Sequence, residues 1–124
     1  VRTFAGLAEI VMRVRHADGR WSARPIWVVA IDGEACIRSA FGRRSAWYRR
    51  VQAHAATEVD LGGVNLPVRL EPVDDPALVH RVSAAYRTKY ALSWPSPVEM
   101  MISPEAARTT MRLTNIGEVS ELLP

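Results

Sequence analysis

The dipeptide Asp32-Gly33 constrains this chain more than any other feature. It separates Arg24–Ile31, rich in β-branched and aromatic residues, from Glu34–Ser39, which continues the same strand-like pattern. Asp-Gly tolerates the positive φ angles of a tight hairpin turn, so a two-residue turn and its register follow. Ile31 is expected to face Glu34, Val29 to face Cys36, Trp27 to face Arg38 and Ile26 to face Ser39. Side chains alternate across a strand. One face therefore carries Ile26, Val28, Ala30, Ala35, Ile37 and Phe41, with Arg24 and Ser39 towards one end. The other carries Trp27, Val29, Ile31, Cys36 and Arg38, with Glu34 beside the turn. Both faces are largely apolar, so neither suits bulk water. A hairpin covered on both sides fits a small barrel whose outer face packs on a helix or a second subunit.

The flanking segments extend the pattern. Glu9–Arg15 alternates as a strand with Ile10, Met12 and Val14 on one face, and His16-Ala17-Asp18-Gly19 is a turn. Trp21 begins the long central strand, where Pro25 removes a ladder donor and implies an edge or bulge. Trp47–Ala55 reads as a helix. Thr57–Leu61 and Val64–Leu70 form a second hairpin about Gly62-Gly63, with Pro67 again marking an edge. Asp74-Asp75-Pro76 starts a helix that runs to about Tyr90, with Val79, Val82, Tyr86 and Tyr90 as its apolar stripe. Ala91–Pro97 reads as a proline-broken loop in which Trp94 is a plug rather than a lid. Met100–Ser103 and Thr109–Thr114 read as short strands, Val1–Ala8 as a short helix or arm, and residues 115–124 as a loose tail. The expected architecture is α+β: one domain over residues 1–124, a split β-barrel of about six mostly antiparallel strands with two or three helices outside.

Two stretches suggest a ligand. Arg38 would sit mid-sheet opposite Trp27. It is either half of a stacked cross-strand pair or an arginine placed for a phosphate or carboxylate. Ala40-Phe41-Gly42-Arg43-Arg44 then leads to Ser45, a plausible N-cap, and a helix N-terminus favours negative charge. The competing reading is a solvated basic turn. The net charge of +3 points to an anionic ligand without singling one out.

Other chemistry is not indicated. His16, His54 and His80 are scattered, so no metal site is expected. Cys36 is the only cysteine, which excludes an internal disulfide framework and suggests a buried thiol. There is no Gly-x-Ser-x-Gly elbow, Walker loop or Rossmann fingerprint. No apolar run is long enough for a membrane helix and no leader pattern is visible, so a reducing cytoplasm is the expectation. Trp27 and Trp47 are not spaced as an exposed stacking row, and nucleic acid is not expected.

Arg24-Pro25-Ile26-Trp27-Val28-Val29, Asp32-Gly33, Ile37-Arg38-Ser39, Gly42 and Trp47-Tyr48 together resemble the core of the flavin-binding split barrels. The pattern is similar to the deazaflavin-dependent nitroreductase-like and pyridoxamine phosphate oxidase-like branches, and most of all to an uncharacterised bacterial domain family related to them. Arg87-Thr88-Lys89-Tyr90 and Thr109-Thr110-Met111-Arg112-Leu113 extend the resemblance. It implies a homodimer holding FMN or the deazaflavin coenzyme in a groove near the interface. Arg24, Arg38, Ser39, Gly42, Arg43 and Arg44 would lie on the phosphate side, with Trp27 and Trp47 as aromatic walls. The implied activity is oxidoreduction of a small organic substrate. The alternative is a non-catalytic barrel that binds another small molecule, because Trp21 and Trp27 are bulky enough to fill the groove. Loss of the Arg38 side chain is expected to weaken ligand binding and spare the fold.

Overall fold

A computed structural model describes residues 9–90 and 94–115. Val1–Ala8, Ala91–Ser93 and the tail beyond Asn115 lie outside the described residues. Six strands close into an antiparallel barrel in the order β1-β2-β3-β6-β5-β4. They are β1 (Glu9–Arg15), β2 (Trp21–Ile31), β3 (Glu34–Ile37), β4 (Thr57–Leu61), β5 (Val64–Pro72) and β6 (Met111–Asn115). Between and around them run a 3-10 turn (Gly42–Arg44) and the helices α1 (Ala46–Gln52), α2 (Pro76–Tyr90), α3 (Pro95–Met101) and α4 (Pro104–Ala107). No helix among the described residues is long and apolar enough to cross a membrane.

Both two-residue turns fall where their sequences place them. Ile31 pairs with Glu34 across Asp32-Gly33, and Leu61 with Val64 across Gly62-Gly63. Asp32 itself takes a φ of 53°, and both its carboxylate oxygens accept from the Arg81 guanidinium on α2. The hairpin tip is thereby tied to the helix that covers it.

The barrel closes because its two longest strands change partners midway. β2 pairs with β1 through Trp27 and with β3 from Val28 onward. β5 pairs with β4 through Pro67 and with β6 from Val68 onward. Each carries a proline on the side of the switch where one ladder is missing, as expected of a residue with no N–H to donate.

The hairpin faces separate as the alternation predicts. Ile26, Val28, Ala35 and Ile37 point inward, joining Ile10, Met12, Val14 and Val59, and Trp47 and Tyr48 of α1 close this core. Val29, Ile31 and Cys36 point outward beneath Val82, Tyr86 and Tyr90 of α2 and Val98 and Met101 of α3. Two members depart. Ala30 is exposed, and Phe41 lies beyond the strand with 60% of its surface open.

The β2–β3 ladder is shorter than the sequence suggests. It ends at Val28↔Ile37, so Trp27 does not pair with Arg38, nor Ile26 with Ser39. Side chains from elsewhere take over those backbone groups. The Ser39 N–H donates to Thr109 Oγ1 at 2.8 Å, and the Trp27 carbonyl accepts from Tyr86 Oη at 3.0 Å.

Two further expectations are corrected. Pro95–Pro97 of the segment read as a proline-broken loop, and Met100 and Met101 of the segment read as a strand, belong to helix α3. Pro95 occupies its start, where a missing N–H costs no intrahelical bond, and a short apolar run alone does not separate strand from helix. Ser103-Pro104 then starts α4, with Ser103 Oγ accepting from Ala106 N–H at 3.1 Å. That serine-proline pairing of N-cap and first helical residue was the available signal. Helix α1 stops at Gln52, short of the expected Ala55.

Candidate functional site

Where β3 ends and β2 continues without it, the barrel opens into a cleft of about 300 Å³. Arg24, Pro25, Ile26 and Trp27 of β2 form one wall and Arg38, Ala40 and Phe41 the opposite one. Ser45 and Trp47 from the start of α1, and Pro97, Met100 and Met101 of α3, complete it. The lining is mainly apolar, with two guanidinium groups and one hydroxyl. Among the described lining residues there is no carboxylate, histidine, cysteine or lysine.

Arg24, Trp27, Arg38 and Trp47, all anticipated as ligand contacts, share this one cleft. Arg24 is exposed on its rim. Trp47 is buried, with its ring edge-to-face on Tyr48. Trp27 is half-buried and lies flat on Tyr90, ring centroids 4.2 Å apart and planes 3° from parallel. Trp94 leans on Trp27 at 5.6 Å and is itself half exposed, so it edges the aromatic stack rather than plugging the core. Trp21 is not among the residues lining the cleft and lies under the Arg13 guanidinium, whose Cζ is 4.7 Å from the ring centroid.

Arg38 reaches the cleft wall but spends its donors inward. It is 1% exposed. Its Nε donates to Thr110 Oγ1 (2.8 Å), Nη1 to Ser83 Oγ (2.8 Å) and to the Met101 carbonyl (3.0 Å), and Nη2 to the Val79 carbonyl (2.7 Å). The guanidinium stands over Tyr86, not Trp27, at 5.7 Å. No carboxylate pairs with it among the described residues. Burial therefore draws its pKa below the usual arginine range, with the Tyr86 side chain opposing in part. Arg38, one residue past β3, thus ties that strand end to α2, α3 and the residue before β6, and its loss is expected to damage the fold, contrary to the expectation drawn from sequence.

Ser39, Gly42, Arg43 and Arg44 do not line the cleft. Ser39 is buried and its Oγ has no hydrogen-bond partner. Gly42 takes a φ of +67°, and a Cβ there would meet Glu105 Cγ at 2.3 Å. The space above the glycine is occupied by the Glu105 side chain, so the turn does not present an open anion cradle. Arg43 is exposed near Tyr48. Arg44 lines an adjoining recess with Phe41, Met100 and Glu105. Ser45 is the N-cap residue of α1 by backbone geometry, without a side-chain cap bond, and the helix has only seven residues.

Pro97, Met100 and Met101 were missed because their segment was read as loop and strand. Burial raises the pKa of the Cys36 thiol. Burial likewise pushes the Tyr90 phenol up to about 12 and the Tyr86 phenol higher still. Lys89 donates to the Val28 carbonyl at 2.7 Å, and burial lowers its pKa. Among the described residues no three His, Cys, Asp or Glu side chains gather as a metal site.

The fold is similar to the crystal structure of a conserved hypothetical protein from Mycobacterium tuberculosis, with a TM-score of 0.63 and 17% identity over 90% of this chain and 74% of that one. At that identity the likeness shows the fold alone. No curated protein matches the sequence. The family model described as an uncharacterized protein conserved in bacteria (DUF2255) matches residues 1–113. The chain belongs to that family.

Proposed function

We propose that the cleft binds a planar, anionic cofactor of the flavin class, FMN or the deazaflavin coenzyme, and that the protein serves oxidoreduction of a small organic substrate. One observation carries this reading. Arg24, Trp27, Arg38 and Trp47, from β2, the end of β3 and the start of α1, meet around one largely apolar opening of about 300 Å³. Such a lining suits a flat aromatic ring, which buries apolar area and leaves its polar edge to a few placed groups. Trp27 and Trp47 would bound the ring, with Met100 and Met101 as adaptable apolar contacts. The anionic end would fall to Arg24, because Glu105 fills the space over Gly42 and the Arg38 donors are engaged. The bound cofactor would supply the redox chemistry, and the protein would orient it and limit water around it.

A second reading has its own support. The described lining offers no general acid or base, which equally suits a non-catalytic barrel that holds a small ligand. The proposal also includes a homodimer: Phe41, 60% exposed, and Met100, 41% exposed, lie on the cleft rim where a second copy would cover them. Fluorescence titration of the purified protein with FMN, and separately with the deazaflavin coenzyme, tests the cofactor. Saturable binding that Arg24→Ala weakens supports it and chooses between the two. Failure of both to bind leaves the non-catalytic barrel. Sedimentation velocity tests the dimer.

A further inference from the structure

At the C-terminal end of α1, the molecule has another recess, of about 610 Å³, which shares no lining residue with the cleft and is lined by Arg15, His16, Arg50 and His54 with Ala17, Ala53, Ala55 and Ala56 between them. We propose that it is an anion site that takes phosphate, as the free ion or as the end group of a phosphomonoester.

Two guanidinium groups and two imidazoles line this recess, and no carboxylate does. The carboxylates nearest in sequence to its lining residues, Asp18 and Glu58, are already held. Asp18 accepts from the Arg20 backbone N–H and from Arg20 Nε. Glu58 accepts from Arg13 Nη1 at 2.6 Å. Among the described residues, the side chains of Arg15, Arg50 and His54 have no hydrogen-bond or ion-pair partner, and His16 is bonded through Nε2 to Ser22 Oγ.

Cations often gather at a helix C-terminus because the last carbonyls lack partners. That explanation does not account for Arg50 and His54. The carbonyls of Arg49, Arg50 and Val51 already accept from the backbone N–H groups of Ala53, His54 and Ala55. The side chains of Arg50 and His54 therefore line the recess without a helix-end carbonyl to serve. Guanidinium forks with neutral or protonated imidazole donors match the several acceptor oxygens of a phosphate, which such groups bind more strongly than a single-point anion.

The test is an NMR titration of the histidine ring signals of the full chain with sodium phosphate, at ionic strength held constant with sodium chloride. His16 and His54 should shift saturably, while His80, which lies on α2 outside the recess, should not move. A parallel titration with ribose 5-phosphate reads whether a monoester enters. Shifts from both extend the site to organic phosphates, and shifts from phosphate alone confine it to the free ion. Arg15→Gln with Arg50→Gln should weaken the response by about tenfold or more, since charge-assisted bonds are lost. Arg15→Lys with Arg50→Lys should restore part of it. Retention of the wild-type thermal midpoint and of cleft titration in these variants would show that the fold stands. Equal shifts with chloride alone, or a double Gln variant that titrates like wild type, would overturn the proposal.

Discussion

The two faces of the β2–β3 hairpin are both buried, yet they are held in different ways. The inner face is almost pure hydrocarbon: Val28, Ala35 and Ile37 pack on Met12, Val14 and Met111. The outer face includes the Arg38 guanidinium and the Tyr86 and Tyr90 hydroxyls, each bonded to backbone or hydroxyl oxygens. An aliphatic layer loses stability in proportion to the volume removed. A polar layer loses it according to how many buried groups are left unpaired. Substitutions on the two sides separate these regimes.

Arg38→Ala should cause the largest loss. It leaves the buried Met101 carbonyl and the buried Ser83 hydroxyl without their guanidinium donor, at roughly 1–3 kcal/mol each, so about 2–6 kcal/mol is expected. Arg38→Met should lose about as much despite its similar length, because it restores packing but no donor. Urea unfolding distinguishes the cases. Near-complete rescue by methionine would mean that the outer face behaves like the inner one. On the inner face, Ile37→Ala should cost about 2–5 kcal/mol. Ile37→Val should recover most of that, as expected where shape and volume decide.

The contrast also explains what could be read from the sequence. Register and facing are local properties. Asp32-Gly33 specified the pairs Ile31↔Glu34 and Val29↔Cys36, and period-two alternation sorted inner from outer residues. Acidic residues and a proline marked the start of α2, and of its expected stripe Val82, Tyr86 and Tyr90 are buried while Val79 is half-buried. The partners of Arg38 were not legible, because Val79, Ser83, Met101 and Thr110 lie 41 to 72 residues away. With their donors and acceptors invisible, Arg38 was matched to Trp27 by ladder extrapolation. The cleft was half legible for the same reason. Its β2 and α1 contributions sit in strongly patterned segments, whereas Met100 and Met101 lie in a short apolar run whose helical state depends on what it packs against.

Gly42 provides a smaller test, at the junction of the two layers. Gly42→Ala should cost about 1–3 kcal/mol, partly from the left-handed backbone and partly from the clash with Glu105 Cγ. Adding Glu105→Ala should relieve the clash and leave the backbone part. A double-mutant cycle by thermal unfolding reads the coupling between them. Strict additivity would mean that the glutamate yields freely, and the turn would then be open to an anion after all.

The smallest effect concerns the Tyr90 hydroxyl. It donates to the Val28 carbonyl at 2.8 Å and accepts from the Val28 N–H at 3.2 Å. Removing it with Tyr90→Phe leaves the ring stacked on Trp27 and should cost about 0.5–1.5 kcal/mol near neutral pH. The pH dependence is more diagnostic. Burial pushes the folded-state pKa of Tyr90 from 10.0 to about 12, and that of Tyr86 rises further from the same starting value. Between the unfolded and folded values the unfolded chain holds fewer protons, so stability falls as pH rises. The tyrosine contribution is intact below about pH 10 and declines from there through pH 12. Wild type should therefore lose stability in urea melts over that window. Tyr90→Phe should lose it less steeply while Tyr86 still contributes, so the two curves converge with rising pH. Parallel curves would mean that the Tyr90 hydroxyl ionises as readily in the folded chain as in the unfolded one, and the outer face would then be wetter than its bonding pattern requires.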